Sequence, residues 1–242
     1  MKLFTILLIV VTILSVSSCK ELVIVKGSEN MVEKEYDFTD FENIVTNNLV
    51  HATLIPSEEY KITLSINKNA TEYLDINKDG KTLNLTLVNG ILYDSVICNA
   101  TVYMPRLNHV QTSGISNVFL QEFKTQSIHA DLYEMSSLTG TLFADSLEVI
   151  ASKQVKVNLE GKVGFLKTEL SGESIFNGKN LKTETLNAYN KSTTKMFITV
   201  TDTLRVEIEE GSQLEYYGNP SVIDEFVIDF ADLRKGRKPN TN

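Results

Sequence analysis

The 242-residue chain has no tryptophan, two cysteines, three histidines and four prolines, and its 31 acids outnumber its 23 bases. Each shortage removes a class of function. With bases in the minority and no array of Lys/Arg to neutralise phosphates, nucleic acid is excluded as a partner. Cys19 and Cys98 are too few for a disulfide scaffold or a cysteine-rich zinc site. Carbohydrate platforms rely on flat aromatic faces, so without tryptophan only Tyr189, Tyr216 and Tyr217 are left for that role. The histidines His51, His109 and His129 have no His-x-x-x-His spacing and no evident acidic partner, and each is expected to be an ordinary strand residue. There is no Gly-x-Ser-x-Gly elbow; Gly114-Ile115-Ser116-Asn117 lacks the closing glycine. These readings yield no catalytic residue, no metal ligand and no cofactor.

Only one apolar run is long. Lys2 is followed by apolar residues 3–14 and the small residues Ser15, Val16, Ser17 and Ser18, in the order of an export signal over residues 1–18. The run falls short of the roughly 20 residues needed to span a bilayer as a helix. Cys19 follows at once, and Val16-Ser17-Ser18-Cys19 resembles a bacterial lipobox. That resemblance implies cleavage before Cys19 and acylation of its sulfur and amine. Each buried methylene contributes about 0.8 kcal/mol, so two or three chains hold a protein to a membrane durably. The expected location is the cell envelope, as an outer-membrane lipoprotein on the periplasmic side or the cell surface. The alternative is an uncleaved signal anchor with a free Cys19 thiol.

Residues 19–35 have no sustained pattern and read as a tether. From Tyr36 onward, short alternating runs such as Tyr60-Lys61-Ile62-Thr63-Leu64-Ser65-Ile66 and Leu83-Asn84-Leu85-Thr86-Leu87 mark half-buried strands. Turn chemistry at Lys78-Asp79-Gly80-Lys81 and Val88-Asn89-Gly90 separates them. No window carries helical periodicity, so the class is all-β.

The second half repeats. A leucine-led strand, begun by Leu107, Leu132, Leu147, Leu166, Leu186 and Leu204, runs each time into a small corner. The second corner positions are 114, 137, 152, 172, 192 and 211, all Gly or Ser. A period near twenty residues with small corners points to a short parallel β-helix, about five rungs over residues 110–218. The hairpin-rich stretch 36–104 is expected to cap one end and residues 222–230 the other. An antiparallel sandwich, whose strands recur every 8–12 or so residues, fits the same spacing equally well, and the β-helix is favoured over it because the corners repeat chemically where hairpin loops would vary.

Three segments resemble the GIN domain, the head domain of auto-transporter adhesins. They are Asp37-Phe38-Thr39-Asp40-Phe41-Glu42-Asn43-Ile44, Val102-Tyr103-Met104-Pro105-Arg106-Leu107 with Thr112-Ser113-Gly114, and residues Glu210 to Pro220. Together they span residues 36–220. The resemblance implies a right-handed β-helix-like fold and no catalytic activity, and it offers no site residue to carry over.

The remaining chemistry lies in carboxylates and bases. Glu148, Glu160, Glu169, Glu173 and Glu184 sit on neighbouring rungs, where a polysaccharide-active enzyme would need two acids about 5–9.5 Å apart. Most alternate with apolar residues and read as a solvated face, and Arg106 and Arg205 are the only arginines within the body. Residues 221–242 form a terminal strand and a basic tail, Arg234-Lys235-Gly236-Arg237-Lys238, expected to fray. Asp94-Ser95-Val96, Asp145-Ser146-Leu147 and Asp202-Thr203-Leu204 share an acid–hydroxyl–apolar pattern that fits an O-glycosylation acceptor. The expected protein is a lipid-anchored, non-catalytic adhesin or binding module. Its partners are the membrane, through the N-terminal lipid, and a glycan, the cell wall or another protein. The alternatives are a polysaccharide-active enzyme on the same scaffold and a structural or assembly factor.

Overall fold

The computed structural model describes residues 22–237. The expected export signal, Cys19 and Lys238 lie outside the described residues. In chain order the strands are β1 Val23–Lys26, β2 Met31–Tyr36, β3 Asn43–Asn47, β4 Val50–Pro56 and β5 Lys61–Asn67. After a single 3-10 turn at Lys68–Tyr73 come β6 Leu74–Asp79, β7 Thr82–Leu87, β8 Ile91–Asp94, β9 Cys98–Met104 and β10 His109–Thr112. The long strands follow: β11 Asn117–Tyr133, β12 Ser137–Ser152, β13 Lys156–Leu170, β14 Ile175–Asn190 and β15 Lys195–Ile208. Last are β16 Gln213–Tyr217, β17 Val222–Val227 and β18 Asp232–Lys235.

From β10 onward every pairing is parallel. The chain therefore coils as a β-solenoid of about 7 turns, and the antiparallel sandwich is excluded. Alternation along each strand explains why the coil closes. Ile128, Leu147, Leu166, Leu186 and Leu204 stand in register, all buried, and form an apolar column down the interior. Residues at alternate positions face outward, so each rung buries one face against the others across the core.

That column corrects the leucine-led repeat in one place. The repeat aligns Leu132 with Leu147, whereas the residue in register with Leu147 is Ile128, four positions earlier. With this shift the uneven spacing disappears. The corners are also chemically different from expectation. They are pairs of residues in left-handed backbone conformation: Glu134-Met135, Lys153-Gln154, Gly172-Glu173, Ser192-Thr193, Glu210-Gly211 and Asp229-Phe230. Two consecutive positive-φ residues are the dihedral pattern of a type I′ turn, here joining one rung to the next. What repeats is thus a backbone geometry, and large side chains are tolerated because they project into solvent; Met135 is 56% exposed. Buried hydroxyls sit just inside four of these corners, at Ser136, Ser174, Thr194 and Ser212, and Ser116 takes the same place after Gly114-Ile115; Val155 and Ala231 follow the other two pairs. Ser174 Oγ accepts from the Val155 amide at 3.2 Å and Ser212 Oγ from the Thr194 amide at 3.1 Å. These two hydroxyls each tie one rung to the next.

Left-handed conformation costs a non-glycine residue about 1–2 kcal/mol, partly offset by glycine's greater unfolded-state entropy. Met135→Gly is therefore expected to raise the unfolding free energy by about 0.5–1 kcal/mol, read as a higher urea midpoint at constant slope.

The N-terminal part departs further from expectation. The stretch 36–104 is not only a cap: β3 pairs in parallel with both β7 and β10, and β4 with both β9 and β11. The rung that comes first in the chain is therefore inserted between later ones. Antiparallel β6 then covers β7, β5 covers β9, and β2 covers β5, which protects the open edge of the sheet at this end. The expected tether also contains strands, because β1 pairs with β8 and β2 with β5. Its few apolar residues show no pattern because these two strands lie largely exposed on the outside of the coil.

At the other end, β17 is simply the next half-rung on β15, and β18 the next on β16. The basic tail does not fray through its first half. Arg234 lies in β18 and pairs with Glu215 at 2.9 Å, and Lys235 donates to Asn219 at 2.7 Å. Cys98 is fully buried in β9, and burial pushes its thiol up to about 12.

Candidate functional site

The outward face of the strands leading into each corner carries the richest chemistry. One column in register reads His109, His129, Glu148, Lys167, Asn187, Arg205, Asp224, on rungs separated by 18 to 20 residues. Two residues further along each strand stand Gln111, Asp131, Ile150, Glu169, Tyr189, Glu207 and Phe226. Parallel rungs stack about 4.8 Å apart, so side chains in one column touch their neighbours above and below.

They do so as a continuous chain of contacts. His109 Nε2 lies 3.0 Å from Asp131 Oδ2, and His129 Nε2 lies 3.1 Å from Asp131 Oδ1. His129 Nδ1 is 3.2 Å from Glu148 Oε2. Lys167 donates to Glu148 at 2.7 Å and lies 3.1 Å from Glu169. The Lys167 hydrogen bond is the main cause that holds the Glu148 carboxyl below its usual range. The Lys167 ammonium is raised in turn by its bonds to Glu148 and Glu169.

The structure places the other expected residues as follows. Of the five acids considered for an enzyme, Glu148 and Glu169 share one ammonium, that of Lys167. Glu184 pairs with Lys162 at 2.8 Å, Glu160 accepts from Thr141 at 3.0 Å, and Glu173 accepts from Gln154 at 3.1 Å. Those three lie on other faces or at a corner. Arg205 lines a shallow depression of about 400 Å³ on the charged face, together with Lys167, Glu169, Tyr189, Glu207 and Phe226. Tyr217 is buried and donates to Glu215, and Tyr216 packs against the core, so of the three tyrosines Tyr189 is the one on this face. Arg106 lines a separate groove with Asn108 and His129. His51 faces elsewhere and accepts from the Asn117 amide at 2.8 Å, with burial lowering its pKa. Among the acid–hydroxyl–apolar triplets, Thr203 is buried, whereas Ser146 is part-exposed and bonds Ser127 at 2.9 Å.

The expectation that the histidines lack an acidic partner is corrected. His109 and His129 are 20 positions apart, one rung, and Asp131 and Glu148 reach them through the coil. Linear spacing could not reveal this. Placing Ile128 in the leucine column aligns His129 with Glu148, whereas His109 joins them only through the register of β10 on β11.

The fold is a parallel β-solenoid with antiparallel N-terminal strands, and it carries a charged ladder on its outward face. The chain belongs to the family whose model is described as putative auto-transporter adhesin, head GIN domain, matched over residues 40–220. Solved structures with the same fold include a putative adhesin from Bacteroides fragilis at 14% identity, covering 87% of this chain and 99% of that one with a TM-score of 0.78. A putative lipid binding protein from Parabacteroides distasonis matches at 13% identity over 88% and 100% of the chains, TM-score 0.69. A putative adhesin from Parabacteroides merdae matches at 15% identity over 89% and 100%, TM-score 0.62. At such identities these neighbours establish the fold alone. A comparison with curated proteins finds no match.

Proposed function

We propose that this chain is a lipid-anchored envelope protein that uses its solenoid as a non-catalytic adhesion or binding module, with Cys19 as the acylated residue. The observation that carries the reading is the charged ladder from His109 to Asp224, with its depression at Tyr189 and Arg205. The backbone beneath is held on both sides by parallel pairing, so this face keeps its shape when a partner binds and little ordering entropy is lost. Membership of an adhesin-head family and the lipobox-like Val16-Ser17-Ser18-Cys19 support display at the envelope. The partner contacts the ladder through Arg205, Glu207 and the Tyr189 ring, and is a glycan, a wall polymer or a protein with complementary charge.

The test has two arms. Cys19→Ser is expected to move the protein from the membrane to the soluble fraction, with loss of the lipid mass in mass spectrometry; unchanged retention would overturn the anchor. Beads coated with the domain are expected to bind envelope or host glycans, or cells bearing the partner. Tyr189→Ala with Arg205→Ala should cut that binding at least tenfold. Release of reducing ends from any glycan would replace adhesion by polysaccharide cleavage.

A further inference from the structure

We propose that His109, His129 and Asp131 form a site for a divalent first-row transition-metal cation of the zinc type. The site is independent of the adhesion reading, and its test does not involve a partner. One ligand atom from each residue lies within 4.8 Å of the others. His109 Nε2 lies 3.0 Å from Asp131 Oδ2 and His129 Nε2 3.1 Å from Oδ1, so each imidazole stands near the ~3.3 Å that separates neighbouring ligand atoms on a tetrahedral zinc with bonds of about 2.0–2.1 Å, on either side of one carboxylate. Small side-chain adjustments therefore suffice to place a cation among them.

Two imidazole nitrogens converge on one carboxylate: His129 Nε2 faces Asp131 Oδ1 at 3.1 Å and His109 Nε2 faces Oδ2 at 3.0 Å, so three groups able to bind a cation meet at this point.

The surroundings match a metal site as well. A metal-bound histidine commonly donates its other ring nitrogen to a carboxylate, which fixes the tautomer and strengthens the ligand. Glu148 is placed for that role and is itself held by Lys167, which Glu169 holds in turn. The ligands come from two adjacent rungs whose register is fixed by the backbone ladder, so the site is set by the sheet and not by a loop. Two imidazoles and one carboxylate suit zinc and its first-row neighbours, whereas calcium and magnesium prefer all-oxygen sets. The side chains are 20–36% exposed, which leaves the outer coordination position open to water.

The experiment uses the purified full chain after chelator treatment. Titration with Zn²⁺ by calorimetry is expected to give one equivalent bound. Titration with Co²⁺ is expected to give a visible d–d spectrum of a low-coordinate site, abolished by competing Zn²⁺. His109→Gln and His129→Gln should each weaken binding at least 100-fold. Glu148→Gln should weaken it 10- to 100-fold with the stoichiometry kept, the size typical of a lost ligand-orienting carboxylate. His51→Gln should change nothing. Circular dichroism and urea midpoints establish that each variant is folded, and the Co²⁺ spectrum of the parent needs no variant at all. Absence of a stoichiometric Zn²⁺ isotherm, or an isotherm unchanged in the double His109→Gln/His129→Gln variant, would mean that the cluster is a hydrogen-bonded ion pair and would overturn the proposal.

Discussion

Gly140→Ala is expected to lower the stability of the solenoid by about 3–5 kcal/mol. Gly140 has φ +127°, a conformation that only glycine adopts without strain. A Cβ there would lie 2.1 Å from the Leu120 carbonyl oxygen and 2.8 Å from the Leu120 nitrogen. Both are backbone atoms of the neighbouring rung, and Leu120 is the register partner of Gly140. Relief requires the two rungs to part, and the ladder hydrogen bonds and the core contacts beneath would go with them. Gly80 is the control. It also has positive φ, +55°, but lies in the β6–β7 turn, where a side-chain methyl would meet nothing within 4 Å. Gly80→Ala should cost only about 1 kcal/mol, from the local backbone alone. Urea unfolding of both variants separates conformational strain from collision between rungs; equal midpoints would refute the close-approach argument.

These two glycines illustrate what the sequence makes legible. The Lys78-Asp79-Gly80-Lys81 turn is readable because its information is local: a positive-φ glycine between two alternating strands. Gly140 looks like any loop glycine, because the atom that excludes a side chain belongs to a residue 20 positions earlier. The same contrast runs through the whole molecule. The all-β class and the coil are legible, since alternation and the leucine column repeat at nearly constant period. Isoleucine in place of leucine at position 128 is enough to misalign one rung, because a pattern keyed on leucine slides to Leu132. The insertion of β3 and β4 between later rungs is illegible, since Asn43 meets His109 across 66 positions with no compositional mark.

The candidate site follows the same rule. Glu148, Glu169 and Arg205 are visible as charged residues on neighbouring strands, but whether they pair depends on register at the level of one residue. A shift of one position sends the side chain to the other face. His129 and Asp131 are two apart and thus share a face on inspection. His109 joins them only when the rung length is known to be 20 at that step. The chemistry is therefore present in the residue types, and the geometry lies in the exact repeat.

Phe176→Ala should lower stability by about 3–5 kcal/mol, toward the upper end for an aromatic truncation. Phe176 is fully buried in β14, in register between Val157 and Met196. Two residues on, Gly178 also faces the interior, and a methyl added to it would lie 2.8 Å from the Phe176 ring and 2.7 Å from the Ile198 side chain. The phenyl ring and Ile198 thus occupy the space that a side chain at position 178 would take. When the ring is removed, Gly178 has no atoms to move into the void, so the cavity persists and carries its full cost. This gives the pair a diagnostic coupling. In the parent, Gly178→Ala should destabilise by about 1–3 kcal/mol, since the buried Phe176 ring and the Ile198 side chain must both yield. In the Phe176→Ala background the Ile198 end can turn into the vacated space, and the same methyl then fills part of the void and removes a glycine from a strand, so it should stabilise by about 1 kcal/mol. The sign reversal is what distinguishes complementary packing from simple loss of buried area, and a double-mutant cycle in urea measures it. Additive effects at the two positions would mean that the ring and the glycine do not share the same volume.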